Sequence, residues 1–460
     1  MKHRYLSIVF VISAFGSFAQ SLAPAGGGGY QPPAAECVSA AQRQQIEATV
    51  AANIAQLRQA GVLPAAGQAR PTAVPLGWPL RQTSGFGYAN IYGISNFVDH
   101  NAAFPNAVQD YNCGTRTYDT SGGYNHGGTD IFLWPFAFNM MDQGQAEIMA
   151  AAPGVIVGKF DGNSDRSCAL SNANWNAVYV QNADGSVCWY GHMKSGSVTT
   201  KAIGATVAAG EKLGTVGSSG SSTGPHLHFE LHSPSGAVLD PYSGPCSPTA
   251  SSWATPRSYY ESAVNALLTH SAAPVFSTCP TPDVPNESQN FMPGSVLYTA
   301  AYYHDQLAGQ QTQYTIYRPD NSVFATWTHA STAVHYAASY WYWSRTLPTN
   351  APTGQWRFEA LYQGVVTSRG FTVGVASATA TAQPALYEVY PNPATNLVRL
   401  TGPLPIARVQ VLNQLGQVVR VSYNLRQPTL DLSGLSAKGL YLVQLLRADG
   451  AVEQHKLVLE

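Results

Sequence analysis

Glycine and proline punctuate this chain so densely, 42 and 30 in 460 residues, that its apolar runs stay short. Helix interiors tolerate neither residue well, so turn-rich β structure is favoured over helical bundles. The 25 tyrosines and 9 tryptophans supply side chains that favour strands. The expected architecture is mostly β and rich in turns. At about 150 residues per domain, the length implies roughly three domains. Charged residues make up 11% of the chain and the formal net charge is -1. That balance excludes charge-driven disorder as the whole answer. It also excludes an electrostatic nucleic-acid binder, because no basic run occurs.

Lys2, His3 and Arg4 precede an apolar stretch from Tyr5 to Phe18, and Ser17-Phe18-Ala19 fits a small-x-small cleavage site. Residues 1–19 therefore read as a secretory signal peptide, with a buried N-terminal strand as the alternative. Beyond it no apolar run approaches the ~18 residues needed to span a bilayer. Export places the chain in an oxidising compartment. Cys37, Cys113, Cys168, Cys188, Cys246 and Cys279 are expected to form disulfides, mostly within or beside the first large domain. No Cys-x-x-Cys pair occurs, and about 15 pairings of six cysteines stay open.

Residues 20–74 read as a linker and a helix. The linker, 20–35, contains Gly26 to Gly29 and Pro32-Pro33; the helix covers 38–60. Ile46, Val50, Ile54 and Leu57 share one helical face, and Gly61 and Pro64 end it. Residues 75–245 form a long β-rich domain, 246–290 a Pro/Ser/Thr-rich linker and 291–375 a small Ig-like β sandwich of open role. In the last, Trp356, Phe358 and Ala360 alternate with Arg357 and Glu359, as a half-buried strand requires. Tyr340-Trp341-Tyr342-Trp343 suits either sugar stacking or core packing; packing is preferred because both residue types are ordinary in strands. Residues 376–386 are a linker, and 387–460 a further small antiparallel β sandwich.

Histidine is placed unevenly. Asn125-His126-Gly127-Gly128-Thr129-Asp130, Tyr190-Gly191-His192-Met193 and Gly224-Pro225-His226-Leu227-His228-Phe229-Glu230 all fall in the β-rich domain. On a strand His226 and His228 face the same side. Two imidazoles on a buried face need hydrogen bonds or a metal. His126 and Asp130 share parity if their segment is extended. Two histidines and an aspartate with a position left open is the layout of a catalytic zinc site. Zinc there lowers the pKa of water and polarises a carbonyl, and the remaining histidines move protons or stabilise an oxyanion. A two-histidine, one-carboxylate iron site is the chemical alternative, but its His-x-Asp spacing is not the one present.

These fragments resemble the lysostaphin-type zinc endopeptidases. Ser84-Gly85-Phe86-Gly87, Ala151-Ala152-Pro153-Gly154-Val155-Ile156, Gly210-Glu211-Lys212-Leu213-Gly214 and Gly217-Ser218-Ser219-Gly220 agree in order, over about residues 78–245. The resemblance implies an antiparallel β-sheet peptidase domain with a groove, acting on peptide bonds of bacterial peptidoglycan. It implies His126, Asp130 and His228 as zinc ligands, His192 and His226 as the catalytic pair, and Tyr190 as a weaker groove contact. The long stretch from Asn90 to Asn125 and an extra loop over Trp134–Gln145 depart from the pattern and leave substrate choice open.

Tyr390-Pro391-Asn392-Pro393 and Gly439-Leu440-Tyr441-Leu442-Val443 resemble the C-terminal sorting domain of type IX secretion substrates, found in Bacteroidota. An ordinary adhesive Ig-like domain is the alternative. The chain thus reads as a mostly β, secreted or surface-exposed zinc metallopeptidase with two small β-sandwich modules after its peptidase domain and a short N-terminal helix. Peptidoglycan and the type IX machinery are its expected partners. The rival readings are a noncatalytic cell-wall-binding or adhesion protein and an endopeptidase for Gly-rich proteins.

Overall fold

The computed structural model describes residues 22–31, 38–66, 68, 73–276, 278–374, 387–402, 406–413, 418–425, 429–435, 438–447 and 452–460. The expected signal peptide lies outside them, as do Cys37 and the expected linker 376–386. The chain divides into two compact units, Met1–Ala376 and Ser377–Glu460. Among the described residues no helix is long and apolar enough to cross a membrane, which says nothing about strands.

Alternation along the strands builds the first unit. An eight-stranded antiparallel sheet runs in the order Tyr92–Asn96, Thr129–Leu133, His226–His232, Val187–Gly191, Ala177–Asn182, Gly154–Phe160, Thr206–Val207, with Val238–Leu239 also paired to His226–His232. Val178, Val180, Cys188 and Tyr190 point to one face. There they pack with Leu80, Ile148 and Leu213 from a three-stranded sheet of Leu80–Gln82, Ala146–Met149 and Lys212–Thr215. Ala177, Tyr179, Val187 and Trp189 point the other way, onto Ile46 and Val50 of the helix Ala40–Gln59. Ser39 caps that helix through a capping box with Gln42. Gly61, at φ 71, takes the chain out of it in a left-handed conformation that suits glycine.

A four-stranded sheet (Gly26–Tyr30, His335–Thr346, Val296–Leu307, Ala263–His270) faces a five-stranded one (Asn290–Phe291, Val365–Val373, Gly354–Tyr362, Gln311–Tyr317, Val323–Ala330) to make the sandwich. Trp356, Phe358 and Ala360 enter its core beside Tyr314 and Trp343, while Arg357 and Glu359 stay half-buried. The aromatic run is packing: Trp343 is core, Trp341 donates to Gln306 Oε1 at 3.0 Å, and Tyr340 and Tyr342 lie against the cluster around Trp134.

Several expectations need correction. The glycines of residues 20–35 form a strand, Gly26–Tyr30, paired antiparallel with the His335–Thr346 strand. A Cβ on Gly26 would sit 2.3 Å from the Tyr342 hydroxyl and one on Gly29 2.5 Å from the Tyr336 ring, so close packing is why glycine stands there. The expected linker 246–290 contributes Ala263–His270, whose residues after Ala263 are all buried. Its prolines and serines mark turns around that strand. The expected extra loop Trp134–Gln145 holds the helix Ala137–Asp142, and Trp134 and Phe136 bury with Phe132 against Ala266, Leu268 and Tyr302 of the sandwich. The peptidase segment and the sandwich therefore share a core. Disulfides join Cys113 to Cys246 and Cys168 to Cys279, but Cys188 is a buried thiol facing Val180 across the ladder. Burial pushes that thiol up to about 12, so it stays neutral and inert.

The second unit is also antiparallel. Glu388–Tyr390, Leu397–Thr401 and Thr429–Asp431 form one sheet; Val418–Leu425, Ile406–Leu412, Gly439–Arg447 and Val452–Leu459 form another. Val398, Val409, Val411, Val443 and Leu457 fill its core. Asn392 accepts from the Val458 amide and donates to the Lys456 carbonyl, tying the Tyr-Pro-Asn-Pro turn to the last strand.

Candidate metal centre

One strand face carries most of the site. The ladder sets His228 opposite Asp130 on one side and Gly191 on the other. His226, His228, Glu230 and His232 share that face, while Leu227, Phe229 and Leu231 enter the core. His126 arrives from the turn before Thr129–Leu133. Gly128 makes the approach possible: a Cβ there would lie 2.7 Å from the Phe229 carbonyl oxygen and 2.8 Å from His228 Cε1.

The neighbours fix which nitrogen carries each proton. His126 Nδ1 lies 2.7 Å from the Phe97 carbonyl, and His228 Nε2 lies 2.7 Å from Glu230 Oε1. Those nitrogens donate, so the neutral rings turn lone pairs on His126 Nε2 and His228 Nδ1 inward. The two are 3.3 Å apart. His126 Nε2 is 3.2 Å from Asp130 Oδ2, and His228 Nδ1 is 2.8 Å from Asp130 Oδ1. Three buried donors of electron pairs thus converge on one point, an arrangement that a cation relieves. A tetrahedral zinc with ligand bonds of about 2.0–2.1 Å has ligand-to-ligand edges of about 3.3–3.4 Å, close to the 3.3 and 3.2 Å separations and wider than the 2.8 Å one. The residues fit zinc. Asn96 Nδ2 donates to Asp130 Oδ2 at 3.0 Å.

His192 and His226 stand beside this group with ring centroids 4.3 Å apart. His192 Nδ1 lies 2.6 Å from the Ser219 carbonyl and His226 Nδ1 2.8 Å from the Gly224 carbonyl, which again directs Nε2 into the site. His226 Nε2 is 3.8 Å from Asp130 Oδ1. Trp175 meets the His192 ring edge-on, centroids 5.1 Å apart. His126, Asp130, His192, His226 and His228 are all buried.

Tyr190 is not brought to this group. It lies between Trp189 and Gly191 on its strand, so parity sends it into the core against Phe229. The Ala151 amide donates to its hydroxyl at 2.8 Å. The groove contact expected of it is corrected accordingly. Sequence reasoning gave no role to Asn96, Trp175, Arg43 or Glu230. For Glu230 a signal existed, since the two-residue repeat that pairs His226 with His228 extends to it. For the others the separation along the chain hid the contact.

Residues 126–241 match Peptidase family M23, and residues 388–460 match a secretion system C-terminal sorting domain. The chain carries an M23 metallopeptidase domain. Both resemblances drawn from its motifs are met. Among solved structures, a zinc-containing peptidase from Vibrio cholerae is 18% identical, with 36% of this chain and 39% of that chain covered and a TM-score of 0.24. The catalytic domain of the antimicrobial peptidase lysostaphin from Staphylococcus simulans is 24% identical, with 35% and 96% covered and a TM-score of 0.21. The chain spans well under half the length of the Vibrio protein, and the family assignment rests on the sequence match.

Proposed function

We propose that the M23 domain is a zinc endopeptidase that hydrolyses peptide bonds in peptidoglycan cross-links or stem peptides. One observation carries this: His126 Nε2, His228 Nδ1 and the Asp130 carboxylate converge, with His192 and His226 beside them. Zinc held by those three residues would polarise a substrate carbonyl and bring the pKa of water toward 7. The protein's own groups supply the rest. The Ser219 and Gly224 carbonyls fix the rings of His192 and His226, leaving Nε2 of each to take up or return a proton. Burial of both rings strengthens their interaction with charge developing at the scissile carbonyl. The sorting domain supports delivery through type IX secretion, which places the substrate outside the cell.

The test uses purified protein, metal analysis and digestion of purified peptidoglycan. About one zinc per chain and release of free amines are expected. Retention on peptidoglycan with neither zinc nor amine release would make the protein a cell-wall binder. Amine release from a Gly-rich protein alone would redirect the substrate.

A further inference from the structure

We infer that Arg43, on the N-terminal helix, is a positioning residue of the metal centre, acting through Glu230 on His228. The inference rests on the zinc reading above. Glu230 is fully buried and its two oxygens are saturated: Oε1 takes His228 Nε2 at 2.7 Å and Arg43 Nη2 at 2.6 Å, and Oε2 takes His232 Nε2 at 2.7 Å and Arg43 Nη1 at 2.7 Å. Arg43 meets the carboxylate as a two-pronged fork, the arrangement in which a guanidinium fixes orientation as well as charge. Its guanidinium also lies 5.4 Å over the Trp189 ring, and Trp189 stacks on His232 at 4.2 Å. The carboxylate so held orients the ring whose other nitrogen faces His126 and Asp130. A carboxylate behind a metal-binding histidine fixes its tautomer and raises its basicity.

Arg43 reaches Glu230 from a helix that is anchored independently. Gln42 Nε2 donates to the Asn172 and Ala173 carbonyls, and Asn53 Nδ2 to the Val157 carbonyl. Ile46 and Val50 are buried against the sheet. Removing Arg43 therefore leaves the helix docked and takes from Glu230 two of its four hydrogen bonds and its compensating charge. The N-terminal helix is in this sense a part of the M23 domain's metal site, although it lies outside the matched residues 126–241.

The experiment compares zinc dissociation constants, by chelator competition, for the full chain and for Arg43→Ala, Arg43→Lys and Gln42→Ala, with thermal melting of the metal-stripped proteins. Loss of a group that orients a metal-binding histidine typically weakens metal about 10–100-fold. That loss is expected for Arg43→Ala, a smaller one for Arg43→Lys, and none for Gln42→Ala, which loses helix anchors but not the carboxylate contact. Unchanged zinc affinity in Arg43→Ala, with or without a rise in peptidase activity, would overturn the inference; the rise would make the helix an inhibitory cover. Equal weakening in Gln42→Ala would also overturn it, by tracing the effect to helix docking. If the unaltered chain binds no zinc, the zinc reading itself fails, and this inference with it.

Discussion

His226 and His228 differ by two residues and share a face, yet their neighbours give them different work. His228 turns Nδ1 toward Asp130 and His126, whereas His226 stands 3.8 Å from Asp130 and beside His192. His228→Ala is expected to lose both zinc and hydrolysis. His226→Ala should retain about one zinc while the rate falls about 10²–10⁴-fold, the usual contribution of a proton-transfer group. Metal analysis beside peptidoglycan hydrolysis checks both, and the reverse pattern would invert the assignment. Gly128 offers a second residue-scale test. The backbone oxygen of Phe229 cannot yield 2.7 Å to a methyl group without moving the strand, so Gly128→Ala should displace the His228 ring. Lower zinc occupancy after dialysis is the expected result, and unchanged occupancy would show that the turn adapts.

At the scale of elements, the strand Ala263–His270 ends in a histidine held neutral. His270 Nδ1 donates to the Pro285 carbonyl at 2.7 Å, and Nε2 accepts from the Tyr302 hydroxyl at 3.1 Å. Burial lowers its pKa from 6.5 to about 4. Between those values the unfolded chain takes up a proton that the folded chain refuses, so stability falls as pH drops through that window. The loss is on the order of 3 kcal/mol when complete. Denaturant unfolding at pH 7 and pH 4.5 should show a larger acid loss in the unaltered protein than in His270→Gln. Equal losses would mean that His270 protonates freely in the folded state. The helix Ala40–Gln59 was legible from its apolar stripe and its stop signals. The strands Gly26–Tyr30 and Ala263–His270 were not, because tetraglycine and Pro/Ser-rich flanks have the composition of linkers whatever they pack against.

For the whole molecule, the two units predict separable roles. Each has its own buried core, and the metal group lies wholly within the first. A chain lacking Ser377–Glu460 should bind as much zinc as the full chain and melt at the same temperature when purified, but remain unsecreted in its native host. Cell fractionation and metal analysis of the truncated protein test this. Secretion without the last unit would remove the sorting role, and loss of zinc would show that the units depend on each other.

The sequence by itself determined the local order: that His226 and His228 share a strand face, where strands alternate, and which motifs mark the peptidase and the sorting domain. Those features are local, since side-chain parity and turn residues are properties of a few consecutive positions. Tertiary structure decided what depends on distant pairing. It set Asp130 opposite His228, turned Tyr190 into the core, left Cys188 without a bridge and merged the sandwich with the peptidase segment through Phe132, Trp134 and Phe136. It also brought Arg43 to Glu230 across 187 positions, a contact that no local pattern encodes because only the folded sheet brings the two side chains together.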